Sequence, residues 1–109
     1  MKIDKETEEK IREMQGIEQS LQNLLLQKQA FQLELNETTN ATEALETAKG
    51  DIYKIVGQIM LKSNKPDLEK ELSEKKHLLS LRIKSIEKQE TELRASLERL
   101  RNFIIDKTK

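Results

Sequence analysis

Two long charged stretches carry apolar seams that mirror each other about Gly57. In the first stretch the seam runs Met14, Ile17, Leu21, Leu24, Lys28, Phe31, Leu35, Thr38, Thr42 and Leu45, spaced alternately three and four apart. The second repeats that spacing through Leu72, Lys76, Leu79, Ile83, Ile86, Glu90, Leu93, Leu97, Leu100 and Ile104. An alternating three-four repeat keeps one narrow stripe of an α-helix apolar, the pattern of a coiled coil. Met14 and Leu100 lie equally far from Gly57, as do Ile17 and Leu97, Leu21 and Leu93, Phe31 and Ile83, and Leu35 and Leu79. A chain folded back near Gly57 brings these pairs into common layers. The sequence therefore predicts a mainly α protein, a long antiparallel two-helix coiled coil.

Composition agrees with that architecture. Of 109 residues, 37% are charged and 3% aromatic, closer to a coiled coil than to a compact globule. Helices of about forty residues each would span on the order of 60 Å at ~1.5 Å per residue, and a pair of them encloses no deep pocket. Lysine and arginine total 20, as do aspartate and glutamate, so no net field attracts nucleic acid or an anionic membrane. No stretch approaches the ~20 apolar residues that cross a bilayer. The start, from Met1 to Glu6, lacks the apolar core of a signal peptide, so a soluble cytoplasmic protein is expected. With no cysteine there is no thiolate nucleophile, disulfide or thiolate metal site, which fits a reducing compartment.

The expected order is one domain, residues 1–109, with a first helix over 2–49, a β-hairpin over 51–63 and a second helix over 66–107. Acidic residues from Asp4 to Glu9 suit a helix N-terminus, and Lys49-Gly50 suits a C-terminus. Gly16, inside the first helix, marks a soft spot. Between the helices, Asp51 to Pro66 is rich in Ile, Val and Tyr, and Gly57 suits the first central position of a type II′ turn. Pro66 is tolerated in the first turn of the following helix. Strand alternation would put Ile52 and Val56 on one face and Tyr53 and Ile55 on the other, with Ile59, Met60 and Leu61 similarly divided. Both faces are thus apolar, and a lone two-stranded hairpin is marginal in water. Other subunits are expected to supply the missing strands.

These residues resemble the prefoldin family, in its beta-type subunit. The insert Tyr53-Lys54-Ile55-Val56-Gly57-Gln58-Ile59-Met60-Leu61 looks like the family's Tyr-Lys-x-Val-Gly segment followed by aliphatic residues. Arg82-Ile83, Ile86, Gln89-Glu90 and Leu93 match its second helix; Leu21-Gln22, Leu24, Gln27-Lys28-Gln29 and Gln32-Leu33-Glu34-Leu35 are similar to its first. A single hairpin favours the beta type, since the alpha type carries two. The resemblance implies a hetero-hexamer of two alpha-type and four beta-type chains, with hairpins joined in an intersubunit β-barrel. It further implies coiled-coil tips that hold unfolded proteins for delivery to a group II chaperonin, with no nucleotide and no cofactor. The hairpin residues concerned are Ile52, Tyr53, Ile55, Val56, Gly57, Ile59, Met60 and Leu61.

The tip can also be argued from residues. Phe103-Ile104-Ile105 wraps about 200° of helix, so one of these side chains must leave the seam. Ile3, Ile11, Met14 and Ile17 approach the same end from the first helix, and Leu97 and Leu100 from the second. Phe103 and Ile105 are read as contacts to unfolded protein, whereas Met14, Ile17, Leu97 and Leu100 equally suit closure of the last layers. Lys28 and Glu90 fall in adjacent mirrored layers and can pair across the seam, although snorkelling is the commoner outcome for a lysine at such a position.

No catalytic constellation is present in the sequence. The single histidine, His77, lacks a companion base or ligand, and the acidic clusters lie on solvated helix faces. Asn36-Glu37-Thr38 and Asn40-Ala41-Thr42 match glycosylation sequons by chance. The competing class is a structural coiled-coil tether or scaffold that binds one folded partner, which requires no apolar excess at its tip.

Overall fold

A computed structural model of the protein describes residues 3–108. The elements run α1 (Lys5–Thr47), β1 (Ile52–Val56), β2 (Ile59–Ser63) and α2 (Lys65–Thr108). They form two compact units, one made of Met1–Gln29 with Lys84–Lys109 and the other of Ala30–Ile83. Each unit pairs a stretch of α1 with an antiparallel stretch of α2, and the second also holds the hairpin.

Both helices begin at side-chain caps. The Asp4 carboxylate accepts the Thr7 backbone N–H at 2.8 Å, satisfying a donor that the first helical turn leaves free. Asn64 does the same for the Asp67 N–H at 3.0 Å, and its own amide donates to the Asp67 carboxylate at 2.9 Å. This cap starts α2 at Lys65, one residue before Pro66, which occupies the first turn where a missing N–H costs nothing. The first helix, expected over 2–49, runs from Lys5 to Thr47; residue 2 lies outside the described residues. At its C-terminal end the Lys65 ammonium donates to the Glu46 carbonyl at 3.0 Å, and the chain leaves through Gly50 at φ +83°. A cationic side chain there relieves an orphan carbonyl and opposes the negative end of the helix dipole.

Thin cores follow from narrow seams. In the first unit Leu24, Ile86 and Leu100 are buried, and in the second Leu45, Leu79 and Ile83. Met14, Ile17, Leu21, Phe31, Leu35, Thr42, Leu72, Leu93, Leu97 and Ile104 are half-buried, while Lys76 is the seam position left exposed. Thr38 is buried as well, its hydroxyl donating to the Glu34 carbonyl at 2.8 Å, so the polar group is satisfied within its own helix. Contacts between the helices keep the mirror about Gly57 to within a few residues: Asp4 to Lys107, Lys10 to Phe103 and Phe31 to Arg82.

The hairpin is antiparallel, with Val56 opposite Ile59 and Ile52 opposite Ser63. Gly57 has φ +63° and no other residue of the turn is at positive φ, which identifies the type II′ turn.

Candidate functional site: hairpin surface and helix ends

The hairpin register assigns side chains to faces. Ile52, Lys54 and Val56 share one face with Ile59, Leu61 and Ser63, and Tyr53 and Ile55 share the other with Met60 and Lys62. The first face is partly covered near its base, where Ile52 and Lys54 are half-buried and the Lys54 ammonium meets the Glu71 carboxylate of α2 at 2.8 Å. Elsewhere the hairpin is bare: exposure rises from 44% at Leu61 through 52% at Tyr53 and 55% at Val56 to 62–70% at Ile59, Met60 and Ile55. Among the described residues the sheet has two strands, so both outer edges keep unpaired backbone groups. Apolar side chains at that exposure on both faces, with open edges, leave most of the hairpin uncovered by the rest of the chain.

The helix ends present a second surface within the first unit. Ile11, Met14, Ile104 and Ile105 line a groove of about 250 Å³ with Gln15, Glu18 and Arg101 at its margins. On the far side of the seam lies a groove of about 300 Å³, bordered by Lys10, Glu13, Ser96 and Arg99 around Phe103 and Leu100. The two sides differ in chemistry. Phe103 is half-buried and its ring lies beneath the ammonium groups of Lys10 and Lys107, at 5.9 and 5.8 Å, so two cations cap its π face. Ile105 is 47% exposed and Ile3, just ahead of α1, is 45% exposed. Leu100 is buried, and Ile17 and Leu97 are half-buried in the layers behind.

Electrostatics fix these ends without supplying chemistry. Hydrogen bonds from the Thr7 side chain and then its backbone, followed by the charge of Lys107, hold the Asp4 carboxyl below its ordinary 3.8. Its contribution is therefore complete above that value and is lost as pH falls through the lower folded one. Farther along, the Lys28 ammonium donates to the Glu90 carboxylate at 3.2 Å and approaches Glu87 at 3.6 Å. The bond to Glu90 raises Lys28 above its ordinary 10.5 against partial desolvation, so this stabilisation persists below that pH and fades as pH rises through the raised value. Glu90, buried at 7% exposure, also meets Arg94 at 3.7 Å and is not left uncompensated.

Two sets of residues escaped the sequence reading. Thr7, 2% exposed, and Lys10 continue the three-four seam backwards from Met14, a signal that was present once the count is carried past the last apolar residue. Ala41, Ala44 and Ala48 line an apolar cleft beside the hairpin, and alanine in a helix carries no signal beyond its propensity. Among the described residues, no three His, Cys, Asp or Glu side chains are grouped to hold a metal ion, and no helix is long and apolar enough to cross a membrane.

A bare hairpin in the second unit and an apolar groove at the helix ends in the first are features of the class of association proteins. A family model described as prefoldin subunit matches residues 8–109. The prefoldin subunit beta of Saccharolobus islandicus is 40% identical over 101 residues, covering 91% of this chain and 80% of that one. That of Pyrobaculum islandicum is 39% identical over 90 residues, or 81% and 72% of the two chains. The crystal structure of the prefoldin beta subunit from Thermococcus strain KS-1 superposes with a TM-score of 0.86 at 31% identity, covering 94% of this chain and 92% of that chain. The chain belongs to the prefoldin subunit family, a family of chaperone subunits.

Proposed function

We propose that this chain is the beta-type subunit of a cytoplasmic prefoldin assembly of two alpha-type and four beta-type chains. Hairpins join through Ile52, Tyr53, Ile55, Val56, Ile59, Met60 and Leu61, with Gly57 shaping the turn, to form a shared β-barrel. The helix ends hold unfolded proteins without nucleotide and pass them to a group II chaperonin. The observation that carries this reading is the apolar groove of Ile11, Met14, Ile104 and Ile105 at the ends of the paired helices. An open apolar groove edged by long flexible side chains, methionine among them, accepts many sequences weakly, which is what holding requires. Ile3 and Phe103 extend the contact surface, and Ile17, Leu97 and Leu100 support it from within.

Removing residues from Asn102 onward deletes Phe103, Ile104 and Ile105 and tests the proposal. The truncated chain, assembled with its alpha-type partner, should keep its native mass. Its suppression of aggregation of several unrelated denatured proteins should fall, with or without ATP. Undiminished suppression would overturn the assignment of the tip.

A further inference from the structure

In a chain that is 37% charged, Gln19 to Gln27 is the longest stretch without a charge. Part of it faces one flank of the seam. There Ser20, Asn23 and Gln27 of α1 and Gln89 of α2 border a groove of about 320 Å³ floored by Leu24 and Leu93, all within the first unit. The rows that flank a coiled-coil seam commonly hold Glu and Lys, which pair across it. Glu34 and Lys75 of the second unit, at seven-residue intervals along the same two rows, do so at 3.5 Å. At Ser20, Gln27 and Gln89 the ion pairs are given up.

Uncharged amides and hydroxyls both donate and accept, so they select a neutral partner that does the same. Among the described residues, the side chains of Ser20, Asn23, Gln27 and Gln89 make one hydrogen bond, from the Gln19 amide to Asn23 at 3.4 Å, and most of their capacity is turned outward. The peptide groups of an unfolded chain are such a partner, neutral and with a donor and an acceptor in nearly every residue. Spacing agrees. Asn23 and Gln27 are one helical turn apart, about 6 Å, and peptide groups on one side of an extended segment recur about every 6.8 Å. The leucine floor takes an apolar side chain from between them.

The groove also follows the helices toward their ends. Glu13, Ser20 and Gln27 stand seven apart on α1, as do Gln89, Ser96 and Phe103 on α2, and Glu13, Ser96 and Phe103 border the groove at the helix ends. The two grooves therefore share one flank, about 21 Å from Gln89 to Phe103, the length of about six extended residues. We propose that this flank is a track for the main chain of an extended, uncharged client segment, whose peptide groups hydrogen-bond to Ser20, Asn23, Gln27 and Gln89. This rests on the holding reading above and adds which part of the client is recognised there, the backbone that every sequence shares. A second coiled coil fits the flank poorly, because its backbone is already bonded within its helices and its outer faces are charged.

Two fluorescein-labelled peptides of about twelve residues, built from leucine, alanine, serine and threonine, are titrated against the complex assembled with its alpha-type partner. One carries methyl groups on alternate backbone nitrogens. Methylation removes donors and should weaken binding to the wild type about fivefold, the loss of one or two hydrogen bonds. Gln27→Met combined with Gln89→Met keeps side-chain volume at exposed positions, so native mass and helix content should be unchanged. In that variant the methylation penalty should shrink below about twofold, a coupling that a change in apolar contact alone does not produce. A penalty of undiminished size would overturn the proposal. So would a photoreactive phenylalanine at position 23 that captures a neighbouring subunit and not the peptide. Ile105→Ser separates the two readings. If it weakens binding while the penalty ignores the glutamines, the track is overturned and holding at the helix ends stands; if it has no effect while the coupling is present, the track is upheld and the helix ends are not. A wild-type complex that binds neither peptide overturns both.

Discussion

Gly16 sits inside α1 with helical backbone, exposed, and a Cβ added there would meet nothing within 4 Å. Its only structural effect is to enlarge the conformational freedom lost on folding. Gly16→Ala should therefore stabilise the chain by about 1 kcal/mol and raise Tm by several degrees, with circular dichroism as the check. An unchanged or lower Tm would mean that Gly16 serves a packing role invisible in the isolated chain. The seam shows the opposite kind of residue. Lys28 and Glu90 interrupt an apolar stripe, yet they meet at 3.2 Å and remain hydrogen-bonded, so the interruption sets alignment instead of opening a defect. The mirror about Gly57 puts the two residues in adjacent layers, which allowed the pairing but did not choose it over snorkelling of Lys28 into solvent. Thr7, 2% exposed, was missed because threonine is polar, although the three-four count carried back from Met14 reaches it.

At the level of elements, the hairpin depends on one backbone conformation. Gly57 at φ +63° stands where an L side chain is strained, so Gly57→Ala should destabilise the turn by about 1 kcal/mol or more. Few of the chain's own contacts hold the hairpin, so the loss should appear as a smaller assembled fraction by native mass, with helix content retained. Loss of helix content instead would tie the hairpin to the folding of α1 and α2. The turn was readable from sequence because a type II′ turn demands glycine at that position and the flanking residues are β-formers. The Asn64 cap starts α2 at Lys65, and α1 gives way after Thr47 to an irregular exit through Ala48 and Lys49, two boundaries that periodicity alone does not set. The cleft beside β1 was unreadable, since no periodicity says which helix a hairpin leans over. Alanines at 41, 44 and 48 acquire meaning only when β1 lies beside them.

For the whole molecule, the proposed holding of unfolded proteins is supported by family membership and an open apolar groove, and the chain's exposed leucines supply the control. Leu26 is 60% exposed on α1, more than Ile105 at 47%. Apolar exposure alone would make Leu26 the better binding position. The account instead requires the groove formed with Ile11 and Met14, so location decides and not exposure. Phe103, which the sequence marked as the equal of Ile105, has the Lys10 and Lys107 ammonium groups within 5.9 Å of its ring centroid, a neighbourhood that spacing along one helix does not reveal. The most direct test places a photoreactive phenylalanine at position 105 or at position 26 in the assembled complex and illuminates it with a denatured client bound. Position 105 should capture the client and position 26 should not. Equal capture at both positions, or capture at 26 alone, would contradict holding at the helix ends.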